Sequence, residues 1–257
     1  MIESLLLTAT RVQTLTLQRQ VLTNATGFFF EREQRLFLVT SRHVMIDKPS
    51  KHFPAQIEIE LHTDPDNMAA SVGFSIPLYR EGKSLWRQGT DAAGEIDIAA
   101  IEIDRAALPA KAVFKAFTPA HLYREIDTVE IGSSLLIVGF PLGFHDTLHH
   151  MPVVRQAISA SAFGLRFQGK GYFLTDARTH RGTSGAPVVM RATTRDFAGS
   201  DLPWMLLGVH SARLDVGTRD RKLDEALGLN CTWYADILLT LTTDPVVKLS
   251  ALESPAA

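Results

Sequence analysis

The chain has 257 residues, 46% of them hydrophobic, 21% charged and 8% aromatic, a globular balance that excludes disordered, collagenous and coiled-coil classes. Its 26 Lys and Arg against 28 Asp and Glu leave a formal charge of −2, so nothing in the net charge points to a nucleic-acid partner. No apolar run reaches the ~18 residues of a membrane span, and the single cysteine, Cys231, can form no internal disulfide, so the expectation is a soluble, cytoplasmic protein without a membrane partner.

From the N-terminus, runs of β-branched and aromatic residues alternate with Gly, Pro, Asp and Asn. The predicted strands are 12–17, 26–30, 36–40, 57–62, 71–78, 98–103, 134–140, 156–162, 172–175, 187–190, 205–209 and 232–234. Residues 64–70 and 88–94 read as polar loops. Between Asp104 and Asp127 the pattern loosens into a connector, which divides the chain into halves 1–115 and 116–257. Twelve strands are too many for one small sandwich and match two six-stranded antiparallel β-barrels, an all-β architecture. Helical periodicity is confined to 233–240, where Ala235, Ile237, Leu238 and Leu239 share one apolar face of a short C-terminal helix.

Three segments hold residues suited to nucleophilic chemistry. In Gly182-Thr183-Ser184-Gly185-Ala186-Pro187 a serine sits between glycines and leads into an apolar run. Gly182 can take backbone angles closed to other residues, which lets its N–H and that of Ser184 face one pocket and hold an oxyanion. Taken alone, the same segment is also a strand-leading turn with an exposed serine. A serine hydroxyl needs a base, and His43 stands just after the apolar run Leu36-Phe37-Leu38-Val39-Thr40. The imidazole in turn needs a shielded carboxylate, and Asp97, at the head of Ile98-Ala99-Ala100-Ile101, is better placed than Asp91 or Asp104 in polar turns.

In that order, the segments around His43, Asp97 and Ser184 resemble the His, Asp and Ser motifs of chymotrypsin-fold serine proteases. The order departs from both the subtilisin and the α/β-hydrolase arrangements. Val138-Gly139-Phe140-Pro141-Leu142-Gly143 resembles the Gly-x-Pro-Leu-Gly strand end of bacterial trypsin-like proteases. The resemblance implies a serine endopeptidase acting on protein or peptide substrates without cofactor or metal. Its triad would be His43, Asp97 and Ser184, and its oxyanion hole Gly182, Thr183 and Ser184. Position 183 is Thr where secreted digestive members have Asp, so activation by a cut N-terminus is not expected.

The specificity pocket is expected from Arg178, Thr179, His210, Ser211 and Arg213. Leu207-Gly208-Val209-His210 resembles the Gly-Ile-His segment of glutamyl endopeptidases, with Thr179 as a companion hydroxyl and Arg178 where trypsins carry an acid. The implied preference is for Glu, Gln or Asp before the scissile bond. Ser211 is expected to support Asp97. His145, Asp146, His149 and His150 have metal-ligand chemistry at spacings that fix no geometry, and read as a solvated loop. The alternative reading is a protease-fold binding module, or a protease held inactive until an activating partner arrives.

Overall fold

The apolar runs pair into two strand assemblies in a computed structural model, which describes residues 2–123, 129–192, 200–214 and 227–244. The first half contributes β1 (Ala9–Leu15), β2 (Val21–Arg32), β3 (Arg35–Thr40), β4 (Gln56–His62), β5 (Ser71–Pro77), the small ribbon β6 (Tyr79–Arg80) and β7 (Lys83–Ser84), β8 (Trp86–Asp91) and β9 (Gly94–Ile103). A four-residue helix, α1 (Arg42–Met45), follows β3. The second half contributes β10 (Ser134–Gly139), β11 (Val153–Ser159), β12 (Tyr172–Asp176), β13 (Pro187–Arg191), β14 (Trp204–Arg213) and β15 (Leu229–Tyr234), then α2 (Ile237–Leu241).

The second half is the expected six-stranded barrel, closed in the order β10-β11-β12-β15-β14-β13. Its closure is the pairing of Leu136 with Val189 and Ile137 with Val188. The first half departs from the expected second barrel. It is a seven-stranded sheet in the order β5-β4-β1-β2-β3-β9-β8, and among the described residues no ladder joins its ends. The end strands differ in character: β8 is polar and buries Trp86 alone, whereas β5 carries Val72, Phe74 and Ile76 on alternate positions, with Ile76 buried and Phe74 packed on the first-half core. The polarity of β8 is also why 88–91 reads as part of a loop in the sequence.

Strands β2, β3 and β9 bury both faces, and this explains their unbroken apolar runs. Alternate residues point to opposite sides of a sheet. Phe28, Phe30, Val39, Ile96, Ile98 and Ala100 therefore pack into a core shared with Val138, Val189, Val209 and Leu238 of the second half. Phe29, Leu36, Leu38, Ala99, Ile101 and Ile103 face a separate core within the first half, closed by Val44 and Met45 of α1. A third cluster, with Leu135, Ile137, Phe173, Val188 and Leu207, fills the barrel.

The connector, of which 124–127 lie outside the described residues, is pinned at Phe117. Its ring meets Phe28 edge-on at 5.8 Å, its N–H donates to Phe29 O at 2.9 Å, and its carbonyl accepts from Glu31 N at 2.7 Å. Helix α2 begins later than the periodicity suggests, because Trp233 and Tyr234 belong to β15. It buries Leu238 and Leu241 but exposes Leu239, which sat on the expected apolar face.

Candidate active site

Two turns of chain placed by the central strands build one end of the site. Strand β3 runs out at Thr40, and α1 starts two residues later with His43 in its only turn. On the neighbouring β9, Ile96 and Ile98 face the shared core, which turns Asp97 to the other side of the strand, toward α1. His43 Nδ1 lies 2.7 Å from Asp97 Oδ2, and the His43 backbone N–H donates to Asp97 Oδ1 at 2.8 Å. Ser211 Oγ donates to the same carboxylate oxygen as the ring. Three donors thus surround a largely buried carboxylate.

The electrostatics follow from that arrangement. Burial works against the charged form of Asp97, but the hydrogen bond and charge of His43, with the Ser211 hydroxyl and the His43 amide, outweigh it and hold the carboxyl below its ordinary value. Burial likewise opposes charging His43. The Asp97 hydrogen bond and charge, helped by Asp47, outweigh it and keep the imidazole above its ordinary value.

Ser184 arrives from the barrel, on the loop between β12 and β13. Its own carbonyl accepts from Thr26 N on β2 at 2.9 Å, so the first half holds the loop of the second. Two glycines shape it, Gly182 at φ +91° and Gly185 at φ +87°. A side chain at 185 would place Cβ 2.2 Å from Thr26 O and 2.3 Å from Thr40 Oγ1, so only glycine lets the loop approach β2 and β3 this closely. The amides of Thr183, Gly185 and Ala186 donate to His180, His210 and Thr183 carbonyls. Those of Gly182 and Ser184 meet no acceptor among the described residues. Thr183, expected to join them as an oxyanion donor, has its N–H turned back onto His180 O at 3.2 Å, so the loop offers two amides and not three.

His43, Gly182 and Ser184 line one cleft of about 560 Å³, together with Leu22, Asn24, Asp47, Lys51, His52 and Arg181. Ser184 Oγ donates to Ser211 O at 2.9 Å, and no hydrogen bond joins it to His43. The expected pocket residues are distributed differently. Thr179 is buried with its hydroxyl donating to Asn230 Oδ1 at 2.5 Å, and His210 is buried on β14 opposite Thr232. Arg178 is exposed, Ser211 faces Asp97, and the Arg213 side chain lies outside the described residues. Arg178, Thr179, His210 and Ser211 do not line the cleft; Arg181 does. In the histidine loop, His145 Nδ1 pairs with Gly143 O and His149 with Asp146, and among the described residues no three metal-ligand side chains converge.

Two residues escape a reading by sequence. Asn230 donates to the Ala177 and Gly228 carbonyls at 2.8 and 2.9 Å, and so ties the segment before Ser184 to β15. Thr26 reaches across the halves to the Gly182 carbonyl. Neither stands in a catalytic motif: Thr26 heads the run that continues as Phe28-Phe29-Phe30 and Asn230 lies between Leu229 and Cys231, and both are fully buried polar residues, which calls for specific partners.

Residues 25–195 match the family model of the trypsin-like peptidase domain, a span that includes His43, Asp97 and Ser184. The chain belongs to this family. Among solved structures the chain is similar to the HtrA-type protease AlgW with tripeptide, at 18% identity over 96% of this chain and 61% of that one, with a TM-score of 0.53. It is similar also to a serine endoprotease from Yersinia pestis, at 16% identity, 91% and 61% coverage and a TM-score of 0.51. A third is the Rv3671c protease from M. tuberculosis in its active form, at 14% identity, 98% and 83% coverage and a TM-score of 0.50. At these identities the likeness is one of fold, and the chain spans about 61% of the length of the first two. No curated protein matches the chain.

Proposed function

We propose that this trypsin-like peptidase cleaves peptide bonds with Ser184 as nucleophile, His43 as general base and then acid, and Asp97 as the group that orients His43 and stabilises its cation. The observation that supports it best is the Asp97–His43 pair opening onto the cleft that holds Ser184 and two unengaged amides. A side-chain rotation moves Ser184 Oγ from the Ser211 carbonyl to His43 Nε2, which takes the proton as Oγ bonds the substrate carbonyl carbon. The carbonyl oxygen becomes the oxyanion that the Gly182 and Ser184 N–H groups receive. His43 then protonates the leaving amine, and water attacks the acyl-enzyme by the same route.

Arg181 and Lys51 at the cleft, against the single acid Asp47, favour substrates with an acidic or amide side chain beside the scissile bond, in line with a preference for Glu, Gln or Asp. A peptide library read by mass spectrometry tests this. Cleavage after Lys or Arg would remove it. The primary reading is tested by a fluorophosphonate probe with intact-mass detection. One adduct is expected, absent in Ser184→Ala, and His43→Ala should react at least about 10³-fold more slowly. A wild-type rate in the His43 variant would overturn the assignment. The alternative, a chain that waits for a partner or only binds, draws on the Ser184 hydroxyl resting on Ser211 O, and an unreactive wild type would favour it.

A further inference from the structure

The side chain of Thr26, on β2, ends in the second half. Its hydroxyl donates to Gly182 O at 2.7 Å and accepts from Phe140 N at 3.0 Å, so both of its bonding roles are taken up on chain more than a hundred residues away. Phe140 opens the turn Pro141–Gly143, and that turn's Leu142 N–H donates to Arg181 O at 2.5 Å. A trans peptide is planar, with its N–H and C=O on opposite sides. Holding Arg181 O on Leu142 therefore aims the Gly182 N–H the other way, and holding Gly182 O on Thr26 fixes the next peptide, whose N–H is that of Thr183 on His180 O. The carbonyls on both sides of Gly182 are thus held, one by the turn and one by the hydroxyl that the same turn orients.

Thr26 is itself well fixed. Its N–H donates to Ser184 O at 2.9 Å, and its carbonyl accepts from Thr40 Oγ1 at 2.7 Å. It is fully buried, so water cannot replace a lost hydroxyl. Gly139 leaves the room that the hydroxyl occupies, since a Cβ there would lie 2.7 Å from Thr26 Oγ1.

We propose that Thr26 is a positioning residue that latches the Gly182 loop of the barrel to the first half and keeps the Gly182 amide aimed at the cleft before substrate arrives. The consequence for rate rests on the reading of Ser184 as nucleophile; the latch itself does not. Thr26→Val keeps the shape and leaves Gly182 O and Phe140 N buried and unpaired. Gly139→Ala displaces the hydroxyl without removing it. Thr14→Val, which alters a buried threonine of β1 whose hydroxyl bonds the Thr23 backbone, controls for general loss of stability.

The test combines hydrogen–deuterium exchange on the full chain with fluorophosphonate inactivation kinetics. In Thr26→Val and Gly139→Ala the amides of 140–143 and 180–186 should exchange faster, while Thr14→Val leaves them as in wild type. The inactivation rate constant at saturating probe should fall by about 10- to 100-fold in Thr26→Val, with the half-saturating concentration within about twofold, because the loss falls on the developing oxyanion. Thr26→Ser should restore both readouts. Unchanged exchange in Thr26→Val and Gly139→Ala overturns the latch, as does an equal effect in Thr14→Val. An unreactive wild type removes the nucleophile assignment instead, and the exchange pattern alone then decides for or against the latch.

Discussion

Replacing Asp97 by Asn removes a charge and keeps a shape, which isolates what the carboxylate does for His43. At the 2.7 Å between His43 Nδ1 and Asp97 Oδ2, two unit charges attract by about 6 kcal/mol at an effective dielectric of about 20. That attraction is complete only when the ring holds the Ser184 proton, so its loss falls on the transition state. At about 1.4 kcal/mol per tenfold, labelling of Ser184 should slow by about four powers of ten. The pH profile should move as well. Wild-type reactivity rises as His43 loses its proton, with a midpoint above 6.5 because Asp97 outweighs burial. In the D97N variant burial remains and the charge does not, so the midpoint should fall below 6.5. The assay is fluorophosphonate labelling from about pH 5 to 9, with Ser184→Ala as blank. A D97N variant within about tenfold of wild type, with an unmoved midpoint, would refute the electrostatic role of Asp97.

Three further outcomes are expected. Gly185→Ala forces a Cβ against Thr26 O and Thr40 Oγ1 at a backbone angle closed to alanine, and should lose at least about 3 kcal/mol in urea unfolding. Phe117→Ala empties the contact beneath Phe28 and should cost about 3–5 kcal/mol, read as a shift in urea midpoint at constant slope. Asp97 has a folded-state pKa below its ordinary 3.8, so its ionised form stabilises the fold above that value, and the contribution disappears as pH falls through the folded pKa. Thermal scans from about pH 5 downward should show a steeper loss of Tm in wild type than in D97N.

Most strands were legible because β-branched and aromatic runs mark buried sheet whichever core it faces. Strand β8 was not, because an edge strand with one buried side chain carries the composition of a loop. Closure of the first half into a barrel was inferred from strand number alone, and strand number says nothing about whether the two end strands meet. His43, Asp97 and Ser184 could be singled out because they follow, interrupt and lead into apolar runs, respectively, in ways that local packing does not explain. Thr179 and His210 were legible as polar residues near the nucleophile, but the sequence does not reveal that Asn230 engages the Thr179 hydroxyl inside the barrel wall. The turned-back amide of Thr183 depends on a hydrogen bond to His180 that sequence spacing cannot announce.

The central strands β2, β3 and β9 have a consequence for how the chain finds its alignment. A strand with one wet face is held in register by the cost of exposing its apolar side, and a slip of one residue is punished by water. Here both faces are dry, and a slipped strand would still present apolar residues to each core. What distinguishes the native alignment is the sparse set of polar groups that reach a partner in one register only: Thr26 to Gly182, Thr40 to Thr26, Asp97 to His43 and Ser211. The residues that build the cleft thus also act as alignment marks for the sheet that carries it. Substitutions that blunt the chemistry therefore also remove part of the discrimination between the correct pairing and its neighbours one step away.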